Sequence, residues 1–108
     1  MRPRLKIWLE GDHQTPVLGP GMLRLLLALE HTHSLKAAAA EVGVSYRKAW
    51  NQLQRAEATL GFALLERQAG GEGGGGSRLT PQARELIQRF LAMKKALEDQ
   101  LEGLYRDY

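Results

Sequence analysis

The chain has 108 residues, with 15 Lys and Arg against 12 Asp and Glu for a formal net charge of +3, and no Cys. That length suits one domain, 1–108, with a modest core, and without thiols neither a disulfide framework nor a thiolate zinc site can form. No run reaches the roughly 18 apolar residues of a membrane span, and Met1 to Glu10 lacks a signal peptide's apolar core, so a cytoplasmic protein with no membrane partner is expected.

Arg4 to Glu10 alternates in the manner of a strand, with Leu5, Ile7 and Leu9 on one side and Lys6, Trp8 and Glu10 on the other. Gly11 to Thr15 reads as a turn and Pro16 to Leu18 as a short returning strand, which predicts an N-terminal β-hairpin. Trp8, on the polar side, is either a surface ring or part of a subunit contact. After the break at Gly19-Pro20-Gly21, Met22 to Thr32 is a dense apolar helix. Its Met22, Leu25, Leu26 and Leu29 can supply core to the helix pair next in the chain.

That pair is Ser34 to Leu60, two helices joined by Val42-Gly43-Val44-Ser45. Ser34 can cap the first, and Ala37 to Ala40 are strong helix formers small enough to let a second helix approach. Gly43 sits where the first helix must stop, a position that favours a left-handed residue. Ser45 can cap the second helix, 46–60. Ala49, Leu53, Ala56 and Leu60 then recur at helical spacing as a buried stripe. Arg47, Asn51, Gln54 and Arg55 lie away from that stripe, with Tyr46, Lys48, Trp50 and Gln52 on its flanks. Arg and Asn can make paired hydrogen bonds to base edges, while Lys and Arg neutralise phosphates. The polar face by itself is equally compatible with an ordinary solvated helix; the glycine turn and the Ala-rich partner favour a helix-turn-helix.

Gly61 ends that helix. Two short strands, Phe62 to Gln68 and Ser77 to Thr80, flank the glycine-rich stretch 70–76. A nucleotide-binding loop would need a closing Lys-Ser or Lys-Thr, which is absent. A flexible inserted linker would lead to a new domain, whereas here a second strand comes next. The hairpin is therefore read as a wing, 68–78, with Gly74 and Gly75 at its tip and Arg67 and Arg78 at its base. Thr80-Pro81 opens the last helix, a Thr cap with Pro in the first turn. Along it Leu86, Phe90, Met93, Leu97, Leu101 and Leu104 step by three and four, close to a heptad seam. At about 1.5 Å per residue the helix extends nearly 40 Å, so 80–106 is expected to pair with a second subunit rather than fold back on its own core.

Taken together, SLKAAAAEVGVSYRKAW, LGFALLER, GGEGGGG and RLT resemble the N-terminal DNA-binding domain of the molybdate-responsive, ModE-type transcriptional regulators. A more distant likeness is to LysR-type regulators. The resemblance covers about Leu5 to Leu91 and implies a mainly α fold with small β elements. That fold is a winged helix-turn-helix with an N-terminal β-hairpin, a glycine-rich wing and a long C-terminal dimerisation helix. ModE-type regulators carry molybdate-binding modules after this domain, and no such module is expected within these 108 residues. No residue is assigned to molybdate, and the expected signal is another one, a sensor on a separate chain, or none.

The function expected is sequence-specific binding of double-stranded DNA by a homodimeric regulator. Tyr46, Arg47, Trp50 and Asn51 would serve the major groove, and Ser34, Lys36, Ser45 and Lys48 the phosphates. Arg55 would be a further DNA contact, and the wing, with Arg67, Gly74, Gly75 and Arg78, would meet the backbone or minor groove. Trp50 suits either a thymine methyl or partial burial between helices, with burial slightly favoured. The local charge agrees: Ser34 to Arg55 holds Lys36, Arg47, Lys48 and Arg55 against Glu41 alone. The alternative is a dimeric protein-interaction adaptor on the same scaffold. No metal or cofactor is expected, because His31 and His33 read as helix-end residues. No constellation of catalytic side chains suggests an enzyme.

Overall fold

The computed structural model describes residues 1–67 and 76–107. Two small antiparallel hairpins and four helices succeed one another along the chain. β1 (Leu9–Glu10) pairs with β2 (Pro16–Leu18) through Leu9↔Leu18 and Glu10↔Pro16, with an irregular register between them. The expected strand from Arg4 is shorter than its alternation suggested. Residues 2–8 keep the alternating exposure but join no ladder. Their partner strand has three residues and starts at Pro16, which has no N–H to donate.

α1 (Pro20–Thr32) buries Leu25, Leu26 and Leu29 almost completely, while Met22 packs at the edge of the core. α2 (Leu35–Val42) begins where the Ser34 hydroxyl accepts the Ala37 N–H at 3.1 Å. Ala38 and Ala39 on its inner face are fully buried, so α1 and α3 close in on it. Gly43 takes φ +79° at its end, and the Val44 N–H turns back to the Ala39 carbonyl at 3.0 Å. That left-handed residue lets α3 (Tyr46–Leu60) start directly after Val44-Ser45, capped by the Ser45 hydroxyl on the Lys48 N–H. Ala49, Leu53 and Ala56 form its buried stripe, as their spacing predicts, with Leu60 half-buried.

β3 (Leu65–Arg67) pairs with β4 (Ser77–Leu79) in the register Leu65↔Leu79, Glu66↔Arg78, Arg67↔Ser77. Both strands are shorter than expected. Gly74 and Gly75, the anticipated wing tip, lie outside the described residues. α4 (Pro81–Arg106) starts from Thr80, whose hydroxyl accepts the Ala83 N–H and donates to the Ala63 carbonyl at 2.7 Å. One side chain thus fastens the wing to the last helix. Ala83, Ile87 and Phe90 enter the core, and beyond Phe90 the helix buries nothing. The molecule is correspondingly long, 58 × 29 × 25 Å. No helix among the described residues is long and apolar enough to cross a membrane.

Two of the residues expected at a subunit seam are used within the subunit. Phe90 is buried in its own core and Leu86 packs against that core. The physical reason is that the expected seam continues the core-facing side of α4, whose first turns already lie against the body of the same chain. Met93, Leu97 and Leu104 are exposed and Leu101 is half-buried.

Candidate nucleic-acid interface

With Ala49, Leu53 and Ala56 turned inward, the 3.6-residue period sends Arg47 and Asn51 to the opposite crest of α3. Both are exposed, and among the described residues neither side chain has a hydrogen-bond or ion-pair partner. Arg55 and Lys48 are exposed toward one flank, Tyr46 and Trp50 toward the other. Trp50 is 41% exposed, which leaves part of its ring covered and part of it open. Its position on the wheel faces an open groove beside α2, where no helix lies to cover it.

That groove, about 470 Å³, runs between α3 and the wing. Ser34, Lys36, Tyr46, Trp50, Arg67 and Ser77 are among its walls. Ser34 and Lys36, predicted to meet phosphate, and Arg67 at the base of the wing are therefore brought to one side of the crest. The Ser34 and Ser45 hydroxyls are already engaged as helix caps. Those two positions offer an anion the helix terminus itself rather than a free hydroxyl. On the other flank a shallower hollow of about 270 Å³ is lined by Ser45, Arg47, Lys48, Asn51, Gln52 and Arg55. Arg78 is exposed on β4, opposite Glu66.

Two contacts that hold the wing in place were not anticipated. Glu57, on α3, accepts the Leu64 N–H at 2.6 Å and the Leu65 N–H at 3.4 Å, tying the start of β3 to the recognition helix. The Ser77 N–H donates to the His33 carbonyl at 2.8 Å, and a Cβ on Gly76 would sit 2.7 Å from that same oxygen. The last glycine of the wing is thus required by a close backbone approach. Neither contact leaves a local signature, because the partners are separated in sequence and meet only after the helices pack.

His31 and His33 do stand at a helix end, as predicted. His33 is the left-handed residue that caps α1 just after Thr32. His31 places Nδ1 3.1 Å from the Leu27 carbonyl and Nε2 2.9 Å from a Glu41 carboxylate oxygen. Only the imidazolium can donate to both. The hydrogen bond to Glu41 accordingly raises the His31 pKa above its ordinary value, against a smaller opposing effect of desolvation. No cluster of three or more metal-ligating side chains occurs among the described residues.

A helix pair crossed at a glycine turn, an outward polar crest on the second helix and a hairpin docked behind it define a winged helix-turn-helix. The family model for bacterial regulatory helix-turn-helix proteins of the lysR family matches residues 21–84. The chain belongs to that family. Over 82 residues, 76% of its length, it is 42% identical to the molybdenum transport protein ModE of Herbaspirillum seropedicae. It is 34% identical over 85 residues, 79% of its length, to the transcriptional regulator ModE of Haemophilus influenzae. The chain spans only 29% and 33% of those two proteins. Among solved structures it is similar to the DNA-binding domain of CbnR in its complex with DNA. The TM-score there is 0.59 at 28% identity, covering 78% of this chain and 94% of that one. The expected likeness to ModE-type and LysR-type DNA-binding domains therefore holds.

Proposed function

We propose that this chain binds double-stranded DNA sequence-specifically as the DNA-reading part of a transcriptional regulator, and is not an enzyme. The observation that carries this reading is the crest of α3, where Arg47 and Asn51 stand exposed without a partner among the described residues. Long polar side chains left unsatisfied in this way are ready to exchange paired hydrogen bonds with base edges in a major groove. Lys36 and Arg67 on one flank, with Lys48 and Arg55 on the other, would neutralise the phosphates that border the groove.

The exposed end of α4 supports a homodimer. Met93, Leu97 and Leu104 extend the apolar side of the helix beyond the body. Covering that stripe with its copy from a second chain would remove it from water and set two recognition helices at two-fold-related half-sites. Such a regulator acts in the cytoplasm, where the DNA is.

Selection of bound sequences from a random duplex pool tests the reading. An enriched inverted repeat is expected, and no enrichment would overturn it. Arg47→Ala should cost about 1–3 kcal/mol of binding and relax preference at one base position. A protein adaptor on the same scaffold would instead bind duplexes weakly and with little dependence on salt.

A further inference from the structure

The stretch before β1 lies outside the residues matched by the family model, which begins at residue 21. Residues 1–8 join no helix or ladder, and from Arg2 onward their exposure alternates residue by residue in the manner of a strand. Pro3, Leu5 and Ile7 are half-buried, and Ile7 packs against the core. Arg2, Arg4 and Lys6 are exposed. With every second residue turned outward, the arm presents three cations on one exposed face. Residues 1–9 contain no carboxylate. The first acidic side chain, Glu10, accepts the Trp8 indole N–H at 2.7 Å.

The location of this row gives it a role. The β1–β2 hairpin packs on α3. A hollow of about 670 Å³ lies between them, with Lys6, Trp8 and His13 on the hairpin side and Gln52 and Arg55 on the helix side. Gln52 and Arg55 also line the shallow hollow along the crest, with Arg47 and Asn51. Cationic surface therefore continues from the crest across Arg55 to Lys6 and out along the arm. The wing and the start of α2 flank the other side of α3, the side of Tyr46 and Trp50. A helix in a major groove has a phosphate strand on each side of it, and the wing side serves only one.

We propose that the N-terminal arm is a second DNA-backbone contact, in which Arg2, Arg4 and Lys6 neutralise successive phosphates on the strand opposite the wing. This rests on the reading of α3 as the recognition helix. The contacts are to phosphate alone, so the arm adds affinity and salt dependence without adding base preference.

The test uses the whole chain and a labelled mixed-sequence duplex of about 30 base pairs, titrated between about 50 and 200 mM salt. Arg2→Ala, Arg4→Ala and Lys6→Ala combined should weaken binding about 10- to 100-fold near 0.1 M salt. The slope of log affinity against log salt should become shallower by about 2–3 for each arm. Arg2→Lys with Arg4→Lys keeps the charges and should keep the slope. Sequence selection with the triple variant should return the wild-type motif. An unchanged slope in the triple variant overturns the proposal, as does an altered base motif. Circular dichroism checks that the variant is folded, which its exposed side chains should permit. Failure of the underlying reading looks different: the wild-type chain itself would then bind duplexes without salt dependence.

Discussion

Glu57 offers the sharpest test of how the wing is held. Its carboxylate accepts the Leu64 N–H at 2.6 Å and the Leu65 N–H at 3.4 Å, where α3 hands over to β3. Leu64 is itself buried, so removing the acceptor strands a donor that water reaches poorly. A hydrogen bond to a charged group contributes about 1.5–3 kcal/mol, and an orphaned buried donor costs about 1–3 kcal/mol. These describe one loss rather than two, so Glu57→Ala should destabilise the fold by about 2 kcal/mol. At roughly 4 °C per kcal/mol for a domain of this size, the melting temperature should fall by about 8 °C. Glu57→Gln keeps a neutral acceptor and should lose less than half as much. Urea unfolding monitored by circular dichroism gives the energies. Amide hydrogen exchange shows whether Leu64 and Leu65 are the groups released. If Glu57→Ala unfolds at the wild-type midpoint with those two amides still protected, the carboxylate is not what fastens the wing.

Side chains on α4 and α1 supply three further tests. Phe90→Ala should cost about 3–5 kcal/mol in urea unfolding, because Phe90 lies in the core of its own subunit. Leu97→Asp, at a residue 42% exposed, should leave the fold intact but shift sedimentation toward a monomer; a dimer that persists would show that this stripe is not the contact. The third concerns pH. Because Glu41 raises the His31 pKa in the folded chain, the ion pair's stabilisation is complete below the ordinary value of 6.5 and fades as pH climbs through the higher folded value. An NMR titration of the imidazole should show that raised midpoint, and Glu41→Gln should bring it back down. An equal midpoint in both proteins would dissolve the pairing.

Much of the scaffold was legible in one dimension because its determinants act over three or four residues. Ser34, Ser45 and Thr80 each accept an N–H three positions ahead, and Gly43 and Gly61 adopt the left-handed conformation their helix ends demand. Residue spacing dictates the inward stripe of α3, and with it the outward placement of Arg47 and Asn51. Folding alone decided the contacts whose partners lie far apart in the chain. Phe90 belongs to the core because the body reaches that turn of α4 before ending. Trp50 is exposed because the flank it occupies opens onto a groove that no neighbouring helix fills. Glu57 finds Leu64, and Gly76 approaches His33, only once helices and hairpin have docked. Spacing assigns a residue to a face of its own element; which neighbour meets that face depends on how the elements pack, and no local pattern encodes it.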